Sequence, residues 1–179
     1  TVFTYPKFDN SKDGCMSYTG YYMRKYVEPS TVKDVGHDDN DIVLIRYAEV
    51  LLNYAEAKEQ LGTLTQSDID KTINLLRDRV GMVHLKLSEI PAGSDIRTEI
   101  RRERRVELFF EGHRYFDIIR WKQGEILGED LLGVRKDYLD PARLKEGIIG
   151  NLKWKTVNGK EYLVLESGRT FDPEKNYLL

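Results

Sequence analysis

The chain has 179 residues, 40% of them hydrophobic and 32% charged, with a formal net charge of −2. That is the composition of a globular domain able to bury a core, and it exerts no global pull on nucleic acid or an anionic membrane. A single cysteine, Cys15, excludes an intrachain disulfide framework and a cysteine-based structural zinc site. No apolar run reaches the ~18 residues of a membrane span, and the first residues do not read as a signal peptide.

Residues 1–40 lack helical periodicity and mix aromatics with Gly, Pro, Asn, Asp and Ser, as loops and short strands do. Five of the eleven tyrosines, Tyr5, Tyr18, Tyr21, Tyr22 and Tyr26, fall in the first 26 residues, and 18–26 suits one short strand. Residues 41–123 read as a helical core. Its first helix runs from an N-cap at Asn40 or Asp41 to a stop at Gly62. Arg46, Glu49, Asn53, Glu56 and Gln60 recur at spacings of three and four and form one narrow polar strip, while nearly every other position is apolar. A helix apolar around most of its circumference is buried against more than one neighbour, so this one is predicted to be central.

Thr65 or Ser67 caps a second helix with an apolar stripe of Ile69, Ile73, Leu76 and Val80, ended by Gly81. The two helices make an αα-hairpin of tetratricopeptide type. A stable stack usually takes about three such repeats, so partner helices are expected outside this chain.

The third helical stretch, from Ser94 to Trp121, combines charge with bulk. On a helical projection Ile96, Ile100, Glu103, Glu107, Phe110, Glu111, Arg114, Ile118 and Trp121 share a face, and Arg97, Arg101 and Arg105 fall on another. Charges in register with core residues are tolerated only when paired and hydrogen-bonded. Glu103, Glu107 and Glu111 are therefore predicted to pair with Arg114 and with Arg46, Arg77 and Arg79 of the preceding hairpin. Gly112 should break this helix, leaving a shorter one over 115–122. Residues 124–179 form a loop-rich tail with one hairpin over 152–165, turned at Asn158-Gly159.

Carboxylates four apart on a helix lie ~6 Å apart, near the separation used by retaining glycosidases. A catalytic pair must nevertheless face a cleft and hold its two pKa values apart, and neighbouring arginines make a structural ion-pair network the better reading. The run Arg101 to Arg105 carries an interleaved glutamate and reads as a partly paired helix face, with no nucleic-acid role. Gly36 to Asp41 gathers oxygen ligands but lacks the spacing of an EF-hand loop; helix capping explains it, and no metal or cofactor is called. The aromatics remain as candidates for ligand contact: Tyr5, Tyr18, Tyr21 and Tyr22, with Trp154 and Tyr162 of the hairpin.

Several segments together resemble the C-terminal region of SusD/RagB-type outer-membrane nutrient-uptake lipoproteins. Arg46-Tyr-Ala-Glu49 with Asn53-Tyr-Ala-Glu-Ala57 is similar to the family's R-x-A-E-x-x-L-x-x-A-E-A helix. Asn74, Arg77, Arg79 and Gly81 resemble its N-x-x-R-x-R-x-G helix. Glu103-Arg104, Glu107-Leu108, Glu111-Gly112, Arg114, Asp117 and Arg120-Trp121 match its long charged signature. The resemblance implies a mainly α fold: a tetratricopeptide-like helix hairpin plus a charged helix, with irregular loops and a small β-hairpin. It further implies a cell-surface protein that binds glycans or oligosaccharides, not an enzyme, working with a SusC-like TonB-dependent transporter at the outer membrane of a Bacteroidetes-type bacterium. The missing N-terminal half of the same protein, its signal peptide and its lipid anchor are expected outside these residues. The signature charges, Asp117 and Arg120 included, are structural on this reading. The rival reading is a helical-repeat scaffold that binds a protein partner and no sugar.

Overall fold

In a computed structural model of the chain, the residues described are 19, 21, 23, 25–26, 43–90, 92–139 and 152–174. Tyr5, Tyr18, Tyr22 and the oxygen-rich 36–41 lie outside them. Backbone contacts divide the chain into two compact units, residues 28–120 and residues 1–27 with 121–179.

The helical unit contains α1 (Tyr47–Gln60), α2 (Gln66–Asp70), α3 (Ile73–Arg79), α4 (Ile96–Glu107) and α5 (His113–Arg120). Its core gathers Ala48, Leu51, Leu52, Ala55, Ile69, Ile73, Leu76, Leu85, Ile100 and Leu108. Leu52, Ala55, Ile69 and Ile73 are fully buried, which is how a short hairpin of helices acquires stability that propensity alone does not supply.

Three helix boundaries differ from the sequence reading. The first helix starts at Tyr47, well past the expected cap at Asn40 or Asp41; its N-cap is Arg46 in an extended conformation with no side-chain capping bond. Val43 to Ile45 stay non-helical, consistent with the β-branched residues in that stretch, and the Arg46 side chain is committed elsewhere. The second helix is two: α2 opens with a Thr65–Asp68 capping box and α3 begins after a turn at Lys71–Thr72. There the Thr72 hydroxyl donates to the Asp68 carbonyl at 2.6 Å, a competing local bond of the kind that interrupts helices. Val80, expected in the apolar stripe, lies past the end of α3 and is exposed. The charged helix is capped by Asp95, which accepts from the Thr98 amide at 2.6 Å, not by Ser94. It breaks as expected at Gly112, and Phe110 also takes a positive φ of 66°, so α5 starts at His113. Phe110 thereby leaves the inward face and is exposed.

The other unit is built on a three-stranded antiparallel sheet, order β1-β3-β2, from β1 (Leu131–Arg135), β2 (Trp154–Val157) and β3 (Lys160–Glu166). Asn158 and Gly159 both have positive φ (49° and 73°), as a type I′ turn requires. β1 falls in what the sequence reads as loop. Its Gly133 has a reason: a Cβ there would sit 2.9 Å from the Thr19 carbonyl, which accepts from the Val134 amide at 2.9 Å. Among the described residues of 18–26 no strand forms.

Candidate functional site

Each of the three carboxylates of the charged stretch is paired with guanidinium groups from elsewhere in the helical unit. Arg46 donates to both oxygens of Glu111 (2.7 and 2.8 Å), to Glu107 Oε1 (2.6 Å) and to the Glu107 carbonyl (2.7 Å). Arg79 holds the same Glu107 from the other side at 2.7 and 2.8 Å. Arg77 pairs with Glu103 and also donates to the Val83 carbonyl at 3.0 Å. The hydrogen bond from Arg46 to Glu111, above all, raises the Arg46 guanidinium pKa beyond its ordinary value, against the opposing effect of burial.

A second cluster lies deeper. Arg104 Nε donates to both oxygens of Asp117 at 2.9 and 2.8 Å, and its Nη1 donates to Asn53 Oδ1 at 2.7 Å. Arg120 bonds Asp117 at 2.9 Å and grips Glu56 with two contacts of 2.5 and 2.7 Å. Burial by itself would lower the Arg120 pKa; the hydrogen bonds to Glu56 and Asp117 outweigh it and raise it. Asn53 and Glu56 thus join Arg46 in directing polar side chains of α1 and its N-cap toward α4 and α5. Arg114 stands apart. Expected to pair with the glutamates, it makes no ion pair within 4.0 Å among the described residues; burial and the neighbouring Arg105 lower its pKa, and Asp117 acts on it only through space.

These pairs tie α4 and the turn after it to α1 and α3, so the arrangement is one of cohesion. Beside it Asn53, Glu56, Ala57, Gln60 and Arg120 line an open depression of about 280 Å³, with no aromatic ring among the lining residues.

Stacking surface lies in the sheet unit. Trp154 is half-buried with the Lys136 ammonium 5.3 Å from its ring centre. Trp154 lies opposite Leu163, whereas Arg135 and Lys155 lie opposite Tyr162. The period of two therefore puts Trp154 and Tyr162 on opposite faces, and the structure does not bring these two candidates together. On the Tyr162 face the Arg135 guanidinium stacks 4.0 Å over the exposed Tyr138 ring and bonds Asp137 at 2.5 Å. Tyr138 and Arg135 carry no motif, and a segment read as loop gave no signal for them. Tyr21 is exposed.

The model of the SusD family matches residues 4–172. The chain belongs to the SusD family. Two SusD-like proteins of Formosa agariphila are similar to it, one 35% identical over 98 residues and the other 30% identical over 154; the chain spans 19% and 30% of their lengths and the matches cover 51% and 78% of its own. Among solved structures, a SusD-like carbohydrate binding protein from Bacteroides fragilis is 32% identical with a TM-score of 0.63, over 90% of this chain and 31% of that one. A second SusD-like protein of Bacteroides fragilis is 28% identical with a TM-score of 0.61, over 93% and 28%. The mainly helical SusD-like fold is therefore shown. Within it, Glu103, Arg104, Glu107, Glu111, Asp117 and Arg120 tie α4, α5 and the turn between them to α1 and α3, while Arg114 makes no such pair among the described residues.

Proposed function

We propose that this SusD-family chain binds glycans or oligosaccharides at the cell surface and passes them to a SusC-like TonB-dependent transporter, without hydrolysing them. The observation that carries the reading is the match over nine-tenths of the chain to a SusD-like carbohydrate binding protein. A lipid anchor at the outer membrane and a transporter partner belong to the same proposal, and membership of the family supports them. Aromatic faces are the natural sugar contacts because a flat ring covers the apolar face of a pyranose while flanking polar groups meet its hydroxyls. Tyr138 with Arg135 and Asp137 on one sheet face, Trp154 on the other and Tyr21 are the contacts proposed; the signature carboxylates are not among them.

Isothermal titration of the protein from its complete reading frame against a panel of oligosaccharides tests the reading. Binding to at least one glycan is expected, weakened by Tyr138→Ala or Trp154→Ala with the fold retained. No binding to any glycan, together with co-purification of a protein partner, would favour the scaffold reading. Hydrolysis lost in Glu107→Gln would overturn the structural assignment of the carboxylates.

A further inference from the structure

The two faces of the sheet differ in how their charges balance. On the Trp154 face Lys136 is matched one to one by Glu161, at 2.7 Å. On the other face Lys160, two residues before Tyr162, lies beside it, and Lys155 and Arg135 lie opposite Tyr162. Lys155 is paired with Asp130 at 2.6 Å. Arg135 and Lys160 share a single carboxylate: Asp137 accepts from Arg135 Nε at 2.5 Å and stands 4.0 Å from the Lys160 ammonium. Two cations on one carboxylate leave a surplus positive charge beside the Tyr138 ring, which is 61% exposed.

Arg135 is arranged as an anion receptor. Stacking 4.0 Å over Tyr138 holds its guanidinium in one orientation. Its Nε is spent on Asp137, while neither Nη group donates to an acceptor among the described residues. Those two groups form the fork that grips a carboxylate or sulfate through parallel bonds. We propose that Arg135 and Lys160, beside Tyr138, form a subsite for an anionic group on the glycan, a uronate carboxylate or a sulfate ester, so that this chain takes acidic glycans. The inference rests on the glycan-binding reading above and adds the charge of the ligand. A neutral sugar needs carboxylate or amide acceptors for its hydroxyls, and here Asp137 is already engaged by both cations. An acidic sugar stacked on Tyr138 instead meets donors that are unspent, and that difference is what discriminates between ligands.

The test is isothermal titration of the protein from its complete reading frame with oligogalacturonate, which carries only carboxylates, with a carrageenan oligosaccharide, which carries only sulfates, and with neutral malto- and xylo-oligosaccharides. Binding of at least one acidic probe is expected, and which of the two binds identifies the anionic group. Arg135→Gln or Lys160→Gln should weaken that binding at least about tenfold, the loss of a charge-assisted bond, with thermal midpoints confirming that each variant is folded. Raising salt from about 0.05 to about 0.5 M should weaken it as well. Asp137→Asn removes the competing carboxylate and should leave the affinity equal or tighter, whereas a purely structural Asp137 would give a loss. Binding of neutral probes alone, sensitive to Tyr138→Ala, would overturn this proposal and leave the glycan-binding reading standing. Acidic binding unmoved by both cation variants would overturn it too. No binding to any probe would overturn both.

Discussion

Replacing Arg104 by methionine isolates what the deeper ion cluster contributes. Arg104 and Asp117 are 5% and 2% exposed, and the substitution removes two bonds to Asp117 and one to Asn53 while keeping the volume of the apolar stem. Breaking a buried pair from one side costs about 3–5 kcal/mol, because a buried charge is left behind. Asp117 keeps Arg120 at 2.9 Å, so the lower end, about 3 kcal/mol, is expected here. With a urea m-value of about 2 kcal/mol/M, the midpoint should fall by about 1.5 M when helical circular dichroism is followed. Adding Asp117→Leu removes the stranded carboxylate, and the double variant should recover at least about 1 kcal/mol relative to additivity. A single variant within about 0.5 kcal/mol of the parent, or a double variant as poor as the sum of the two, would refute the claim that the pair is buried and interdependent.

Leu52→Ala should cost about 2–5 kcal/mol in the same assay, since Leu52 is fully buried at the centre of the helical core. Gly133→Ala should destabilise the sheet unit by about 1–3 kcal/mol, the range for overpacking, because the new Cβ meets the Thr19 carbonyl at 2.9 Å and Leu165 at 3.2 Å; faster hydrogen exchange at the Val134 amide would report it. The Asp68 carboxyl is held down to about 2 from 3.8, chiefly by its hydrogen bond from the Thr65 side chain and then by the Thr65 amide. A carboxylate with a depressed folded pKa contributes fully above its unfolded value and loses that contribution as pH falls through the folded one. Thermal midpoints should therefore drop between pH 3.8 and about 2, and Asp68→Asn should make that drop shallower; an unchanged slope would exclude the capping box as its source.

Where periodicity and turn chemistry were strong, the sequence was informative. The Asn158-Gly159 hairpin, the Gly112 break and the apolar faces through Leu52 and Ile73 are all visible in residue order, and so are the donors and acceptors Arg46, Arg77, Glu103 and Glu107. What pairs with what was less visible, because it depends on how helices cross. Asn53 and Glu56 read only as part of a narrow polar strip on α1, with no partner assigned, yet they reach Arg104 and Arg120, and Arg114 was assigned to carboxylates it does not touch. β1 was missed because its glycine is set by the approach of residue 19, a contact no local pattern announces. The stacked Arg135–Tyr138 pair was missed for the same reason.

The polar strip of α1 also sets an order of events in folding. Its bonds join residues 65, 61, 51 and 64 positions apart, whereas the Thr65–Asp68 and Asn74–Asp70 contacts span three and four. Closing a long loop before any contact rewards it is slow, so the hairpin of α1 to α3 is expected to form before α4–α5 dock. On that order, the flank of α1 that later meets α4 and α5 is polar in the early hairpin, which disfavours apolar contacts there with other unfolded chains.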